Sequence, residues 1–252
     1  ERARFAGARG ARASFARGVF DGANFAEADL PGADFTGASI AEASFSMAGL
    51  DGARLVDARG RGARFDGARL ADARAEGAAL SGASFELVVA PRSKWDAADL
   101  EGASYKGATL AGASFARARA ARATFRDADL ASADLGRLEG REVELAGARA
   151  RGVDLRRARL GGAAADDADL REVRADRAQL EGASLRRADL GGASLREAKL
   201  ANVDASGARL EHADLRDADL SGANLDGATL AGAKLLGAQN LAATPRDARK
   251  HG

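Results

Sequence analysis

Large apolar residues recur at every fifth position along almost the whole chain. Residues 1–240 divide into 48 pentads without a break in frame, and the last residue of 37 pentads is Leu, Ile, Phe, Tyr or Trp. We call this last residue the centre of its pentad. The residue two positions before the centre is Ala in 40 of the 48 pentads, and no Lys, Arg, Asp or Glu occupies either position. This separation predicts that these two positions point inward and that the charged positions point outward.

A period of five fits neither an α-helix nor a flat strand. In a helix, successive centres would be rotated by about 140°, so no continuous apolar stripe would form. The 31 Gly residues would also destabilise a helix, by about 1 kcal/mol each relative to Ala. In a flat strand the centres would alternate between the two faces, because five is odd. The chain is therefore predicted to turn a corner at every pentad.

The repeated units, such as "ADLSG", "ANLDG" and "ADFTG", closely resemble those of the pentapeptide-repeat family. The resemblance covers about 95% of the chain, residues 1–240 of 252. It implies an all-β fold, a right-handed quadrilateral parallel β-helix in which each pentad forms one side and four pentads form one coil, giving about 12 four-sided coils. Departures are local: Gly10, Gly60, Gly140 and Asn240 replace the large centre, and Leu138 replaces a small residue.

The spacing of the aromatic residues supports four sides independently of the resemblance. Seven aromatic centres follow one another at intervals of four pentads without exception, namely Phe5, Phe25, Phe45, Phe65, Phe85, Tyr105 and Phe125. If four pentads complete one coil, each coil contributes one of these rings, so we expect the rings to stack in one column. At an interstrand spacing of ~4.8 Å, 12 coils predict a rod of roughly 58 Å.

Residues 86–95, "ELVVAPRSKW", are the one serious irregularity in residues 1–240. We expect this segment to stay on the coil path in distorted form, and the alternative is a loop of the same length that projects outward. In either case Leu87 and Val89 fall at outward positions near Pro91, which makes these three residues candidate partner contacts. Local packing onto the rod is the simpler alternative, since isolated exposed apolar residues are common.

The two ends of the repeat raise the question of capping. Residues 241–252 leave the pattern, and Thr244 followed by Pro245 predicts the start of a short C-terminal helical cap. The repeat is already running at residue 1, so an open strand edge needs a cover there. We expect an upstream domain, and another subunit in an end-to-end homodimer is an open alternative.

Side chains typical of catalysis or metal binding do not form a site in the sequence. His212 lies at an outward position, His251 lies in the tail, and neither has a second ligand at metal spacing. The acidic residues of "DDADL", Asp166, Asp167 and Asp169, occupy outward positions of a repeat that is charged throughout. The chain has no Cys and no phosphate-binding loop. We therefore expect no enzyme activity, no metal and no cofactor.

Charge limits the classes of partner. The chain has 38 Lys plus Arg and 37 Asp plus Glu, so it lacks the basic excess of a nucleic-acid-binding protein. No apolar run is long enough to cross a membrane, and we expect a cytoplasmic protein. Members of the resembled family that protect DNA gyrase are taken to mimic DNA, but a duplex of this length would carry roughly 34 negative charges. The formal charges of the four sides are −2, −3, +1 and +3, so no side forms an acidic stripe.

These observations favour a non-enzymatic scaffold rod that binds a protein partner, as a module of a larger bacterial protein. A topoisomerase-protection factor is the first alternative, and the repeat portion of a secretion-associated effector or adaptor is the second. Residues 201–230 carry a net charge of −4, and three of their six acidic residues are further candidate contacts, namely Asp214, Asp217 and Asp219.

Overall fold

Each pentad of the computed structural model, which describes residues 3–239, repeats the same backbone path. Two turn residues begin the pentad, and the residue just before the centre forms a single-residue parallel bridge with its equivalent four pentads later. The bridges extend from Arg4↔Asn24 to Asp219↔Gln239. Within residues 3–239 there is no helix, and no strand is longer than one bridge residue. One coil therefore takes four pentads and has four faces, as expected of a quadrilateral β-helix.

We number the faces by their bridge residues. Face 1 contains Arg4 and Asn24, face 2 contains Arg9 and Asp29, face 3 contains Ser14 and Asp34, and face 4 contains Val19 and Ser39. The bridge residue of each following coil stays on the same face.

Backbone hydrogen bonds join each coil to both of its neighbours. The Phe25 N–H donates to the Ser44 carbonyl of the following coil at 2.7 Å, and the Asn24 N–H donates to the Ala3 carbonyl of the preceding coil at 3.0 Å. Within the turn, the Ala28 N–H donates to the Phe25 carbonyl at 3.1 Å. Because buried backbone groups are costly when unpaired, this repeated ladder stabilises a path that has no long strands.

The second turn residue sets the direction of the corner side chains. Its φ lies between 55° and 74° throughout, the left-handed value that the third residue of a type II turn requires. Gly occupies many of these positions, but 25 of them carry another residue. Their side chains lean toward the next coil: the Arg12 Cγ lies only 3.3 Å from the point where a Cβ would stand on Gly32. Corner side chains therefore stack in columns, as bridge residues do.

The core confirms the predicted aromatic column. Consecutive rings from Phe5 to Phe125 lie 4.5–5.0 Å apart, with interplanar angles of 3–7°. Rings on face 3 contact this column edge-on, as in the Phe25–Phe35 pair at 5.5 Å and 87°. Both geometries are favourable for aromatic pairs, and together they fill the interior.

In some pentads a small residue stands at the centre and a larger residue stands two positions before it. Gly140 replaces a large centre, and Leu138, which stands two positions before it, is fully buried in its place. Val88 precedes the small centre Ala90 in the same way. Because protein interiors are close-packed, moving the bulk by two positions preserves the core where the motif itself is lost.

Residues 86–95 stay on the coil path, as expected, and do not project as a loop, but the expected distortion is wrong because their backbone is regular. Val89 pairs with Thr109 and Lys94 pairs with Ser114, in the register of every other pentad. The unusual residue Ser93 occupies a small inward position because Trp95 needs a partner there. The Trp95 Nε1–H donates to the Ser93 hydroxyl at 2.7 Å, and that hydroxyl donates to the Ala90 carbonyl at 2.7 Å.

The expected cap over residues 241–252, with its helix start at Thr244, lies outside the described residues, as does His251. Nothing within residues 3–239 has the helical length and apolar character that a membrane span requires.

Candidate interaction surface

The structure places Leu87, Val89 and Pro91 on the outside of the rod, around face 2. Leu87 is 69% exposed and Val89 is 43% exposed, whereas Pro91 is only partly exposed. Leu87 occupies the second turn position, and it leans over Gly107, where a Cβ would come within 2.9 Å of it. The glycine thus leaves room for the leucine without covering it.

Met47 extends this surface, and reasoning from the sequence missed it. It is 67% exposed and lies on the same corner as Leu87, two coils earlier. We call Met47, Leu87 and Val89 the apolar patch. The signal was available, because the spacing of four pentads that defines the faces also aligns the corners.

The candidate acidic residues lie around one corner near residue 217. Asp214 is on face 3, Asp219 is on face 4, and Asp217 occupies the turn between them. The Arg216 side chain is 2.6 Å from Asp214, and its hydrogen bonds lower the pKa of Asp214 below the ordinary value. Asp217 makes no ion pair with any residue that the structure describes.

Asp219 accepts hydrogen bonds from both the hydroxyl and the backbone N–H of Ser221, and these lower the pKa of Asp219. Two of the three candidate carboxylates are therefore already engaged within the rod, and Asp217 is the one that presents its charge outward.

The acidic cluster of "DDADL" is also satisfied internally. Arg187 contacts Asp167 at 2.6 Å, and Arg171 contacts Asp169 at 2.6 Å. Asp166 has a comparable partner in Arg186. In residues 3–239 no group of three or more His, Cys, Asp or Glu side chains is arranged to hold a metal ion. His212 lies at a turn, over Gly232.

Asp154 is the most buried charged residue of residues 3–239, at 4% exposure. The Arg156 guanidinium lies 2.6 Å from its carboxylate, and that of Arg174 lies 3.1 Å away. Burial acts to raise the pKa of Asp154, but the hydrogen bonds from Arg156 and the charge of Arg174 outweigh burial, so the pKa is lowered. Asp154 therefore stays charged and holds the side chains of Arg156, in the adjoining turn, and Arg174, in the next coil on face 3; we assign it a structural role.

Short polar side chains on face 1 hold the corners in two ways. The Asn24 side chain accepts the backbone N–H of Ala26 at 3.0 Å, a bond within its own corner. Serines instead donate to a carboxylate of the preceding coil: the Ser84 hydroxyl donates to Asp66, which also accepts the Glu86 backbone N–H at 3.1 Å. These polar groups stabilise turns and do not form a nucleophile–base pair.

A continuous coil of arginines surrounds the rod near its N-terminal third. Arg54, Arg59, Arg64 and Arg69 occupy consecutive bridge positions on the four faces, and Arg74 returns to face 3 directly beside Arg54. Since these charges are spread around all four faces, they form no single basic stripe.

These features define an all-β repeat solenoid with a closed apolar interior and a surface patterned in columns that repeat once per coil. The sequence model of pentapeptide repeats matches in eight copies over residues 19–57, 50–86, 96–137, 123–162, 141–174, 166–200, 176–211 and 208–239. The chain belongs to the pentapeptide-repeat family.

A solved structure of the family is similar over most of its length. HetL, a pentapeptide repeat protein involved in heterocyst differentiation regulation in the cyanobacterium Nostoc, is 31% identical, with 87% of this chain and 90% of HetL covered and a TM-score of 0.52.

Two further solved structures match more weakly. A pentapeptide repeat protein from the Arabidopsis thaliana thylakoid lumen is 26% identical over 56% of this chain and 71% of its own, with a TM-score of 0.26. QnrB1, a plasmid-mediated fluoroquinolone resistance protein, is 21% identical over 90% of this chain and 89% of its own, with a TM-score of 0.35. A search of curated protein sequences finds no significant match.

Proposed function

We propose that this chain is a non-enzymatic rod that binds a protein partner along its outer surface. One observation carries the proposal: the interior is closed, and the charged side chains project outward in fixed columns. Among residues 3–239, Ser93 and Asp154 are buried and engaged in hydrogen bonds within the rod, and the buried Tyr105 contributes a single hydroxyl to an otherwise apolar interior. The side chains available to bind another molecule therefore lie on the outer surface of the rod.

The apolar patch is the contact that we assign to the partner. Met47 and Leu87 are each about two-thirds exposed, whereas the large centres between them are fully buried. Val89, the third residue of the patch, lies on face 2, and the partly exposed Pro91 follows at the next turn. Burying these side chains against a partner would remove apolar surface from water, which favours association.

The relationship to HetL supports a regulatory binding role, because HetL is described as involved in the regulation of differentiation. Charge does not favour the alternative of topoisomerase protection by DNA mimicry. The acidic residues near Asp217 are few, and Asp214 and Asp219 are already engaged.

Photocrosslinking in cells of the source organism tests the proposal. A photoreactive residue at position 87 would report contacts of the apolar patch, and one at Ser132 provides a control, because both positions have φ 56° at a turn. We expect a discrete protein adduct from position 87 that Met47→Ser weakens, and no such adduct from position 132. Equal labelling from the two positions, or none from either, would contradict the proposal.

A further inference from the structure

One corner of the rod carries arginines in four consecutive coils. This column, which we call the Arg ridge, occupies the second turn position between faces 3 and 4 and consists of Arg117, Arg137, Arg157 and Arg177. The four φ values are 58–59°, so the four Cα–Cβ bonds point in the same direction. Backbone hydrogen bonds fix this stacking, as where the Arg137 N–H donates to the Arg156 carbonyl at 3.0 Å. The backbone register therefore places the four arginines in one column along the rod.

Three of the four guanidinium groups have no carboxylate partner among the residues that the structure describes. Within residues 3–239, Arg117, Arg137 and Arg157 make no ion pair within 4.0 Å, whereas Arg177 binds Glu197 through two hydrogen bonds of 2.8 and 2.9 Å. Glu197 also acts on Arg157 through its charge at longer range. Like charges one coil apart repel each other, so an anion that bridges them would be bound favourably.

The nearby carboxylates are engaged elsewhere. Asp154 is bound by Arg156 and Arg174, and Glu139 lies 3.3 Å from Arg159. The Asp134 carboxylate accepts the Gly136 backbone N–H at 2.8 Å. Among the described residues, none of these flanking carboxylates therefore forms an ion pair within 4.0 Å with Arg117, Arg137 or Arg157.

The ridge stands between two open grooves. The groove toward face 3 has a volume of about 720 Å³, and its lining includes small residues, arginines of the ridge and four carboxylates, namely Asp134, Asp154, Asp176 and Glu197. The groove toward face 4 has a volume of about 730 Å³ and is lined by Arg159 among others. A ligand lying along the rod could reach the guanidinium groups from either side.

The length and the ends of the ridge select the kind of anion. Three coil steps span ~14 Å, the length of roughly four residues of extended peptide. The column then continues as Glu197 and Asp217, which would repel a longer polyanion. A nucleic acid also gains its affinity from many phosphate contacts, and the chain as a whole carries a net charge of only +1.

We propose that the Arg ridge binds a short acidic segment of the protein partner, with carboxylates bridging Arg117, Arg137 and Arg157. Guanidinium groups bind carboxylates through paired, charge-assisted hydrogen bonds, which supplies both affinity and orientation. This inference rests on the proposed function as a protein-binding rod and adds the chemistry of the bound segment.

Binding of defined peptides tests the inference. The probe is a fluorescent peptide with four consecutive Glu residues between Gly–Ser flanks, compared with its Gln counterpart and with a thymidine oligonucleotide, all measured by fluorescence anisotropy at low salt. The test variant is R117Q/R137Q/R157Q. The control variant R9Q/R12Q/R64Q removes the same charge from exposed arginines on three separate columns. We expect the test variant to weaken binding of the Glu peptide about tenfold or more, and the control variant to change it less than about twofold.

Three results would overturn the inference: no binding of the Glu peptide by the unmodified chain, equal losses in the two variants, or tighter ridge-dependent binding of the oligonucleotide. Hydrogen exchange of both variants checks that the coils remain folded. The two proposals can fail separately. If the unmodified chain does not bind the Glu peptide, but the partner still crosslinks to position 87 in the ridge variant, the assignment of the Arg ridge is wrong and the proposed function stands.

Discussion

The two halves of the rod are stabilised in different ways. In residues 3–125, which we call the aromatic segment, stacked rings fill the core, and the large centres from Phe45 to Phe125 are at most 1% exposed. In residues 126–239, the leucine segment, centres such as Leu170 and Leu180 are 4–6% exposed. A small apolar cavity of about 20 Å³ lies among Leu155, Ala165 and their neighbours.

Ion pairs on the surface are more numerous in the leucine segment than in the aromatic segment. Of 21 ion pairs between described residues, 14 lie in the leucine segment. Most of these pairs are exposed, so each contributes little on its own. The comparison shows that the same backbone path can be stabilised in two ways. Aromatic contacts fill the interior of the aromatic segment, whereas the leucine segment has a looser core and more ion pairs on its surface.

Removing a ring should have the largest effect. Phe65→Ala removes a ring stacked on both Phe45 and Phe85, and we expect a loss of about 3–5 kcal/mol in local unfolding free energy. Leu185→Ala is the matched change in the leucine segment, and we expect a smaller loss there of about 2–3 kcal/mol. Hydrogen exchange measures both, because repeat arrays open locally. Equal losses would remove the distinction between the two cores.

Asp154→Asn should weaken the leucine segment at neutral pH. Hydrogen bonds to a charged group contribute about 1.5–3 kcal/mol, and because the guanidinium groups of Arg156 and Arg174 are half exposed we expect a loss of about 1–2 kcal/mol.

This loss should depend on pH in one direction. Since the pKa of Asp154 is lowered in the folded state, its stabilisation is present above about pH 4 and is lost as the pH falls through the folded value. Denaturant unfolding at pH 7 and pH 3 should show a smaller difference between variant and parent at pH 3. A constant difference would show that the charge of Asp154 is not the cause. Asp72→Asn, in an exposed pair with Arg92, provides the control.

Removing the hydroxyl groups of two buried residues in the aromatic segment should change stability in opposite directions. The Tyr105 hydroxyl is buried and has no hydrogen-bond partner among the described residues, and burial raises the pKa of Tyr105 well above its ordinary value. Tyr105→Phe should therefore increase stability by about 1 kcal/mol. Ser93→Ala should decrease it by about 1 kcal/mol, since the Trp95 N–H would lose its acceptor. Thermal unfolding of both variants checks the signs, and the same sign in both would contradict this account of the polar core.

The smallest expected effect comes from filling the cavity. Ala165→Val adds methyl groups beside the cavity, and we expect a gain of about 0.5–1 kcal/mol. Ala75→Val is the control, because Ala75 is a fully enclosed centre one coil from Trp95, and added volume there should be destabilising. A loss in both variants, measured by denaturant unfolding, would mean that the leucine segment is as tightly packed as the aromatic one.

The period of five and the spacing of the aromatic centres predicted the fold, the register and the ring column. They could do so because the inward positions repeat the same choice in nearly every coil. The coil path of residues 86–95 was predicted but its regular backbone was not, since the pairing of Ser93 with Trp95 is a local exchange that the repeat does not encode. The exchange between Leu138 and Gly140 is a second example.

The candidate surface was only partly predictable. Leu87 and Val89 were found because they interrupt the motif, whereas Met47 was missed because its pentad keeps the motif. The Arg ridge was missed because charge was summed over whole sides, which hides a column at one turn position. Applying the spacing of four pentads to the corners as well as to the sides would have revealed both.

Distances between spin labels test the winding of four pentads per coil most directly. The chain has no Cys, so labels can be placed at introduced cysteines on face 1 at Ser44, Ser84 and Ser184. Positions 84 and 184 are five coils apart and positions 44 and 184 are seven coils apart, which predicts backbone separations of ~24 Å and ~34 Å. Two narrow distributions that differ by about 10 Å would support the account. Broad distributions, or separations that do not grow with the number of coils, would contradict it.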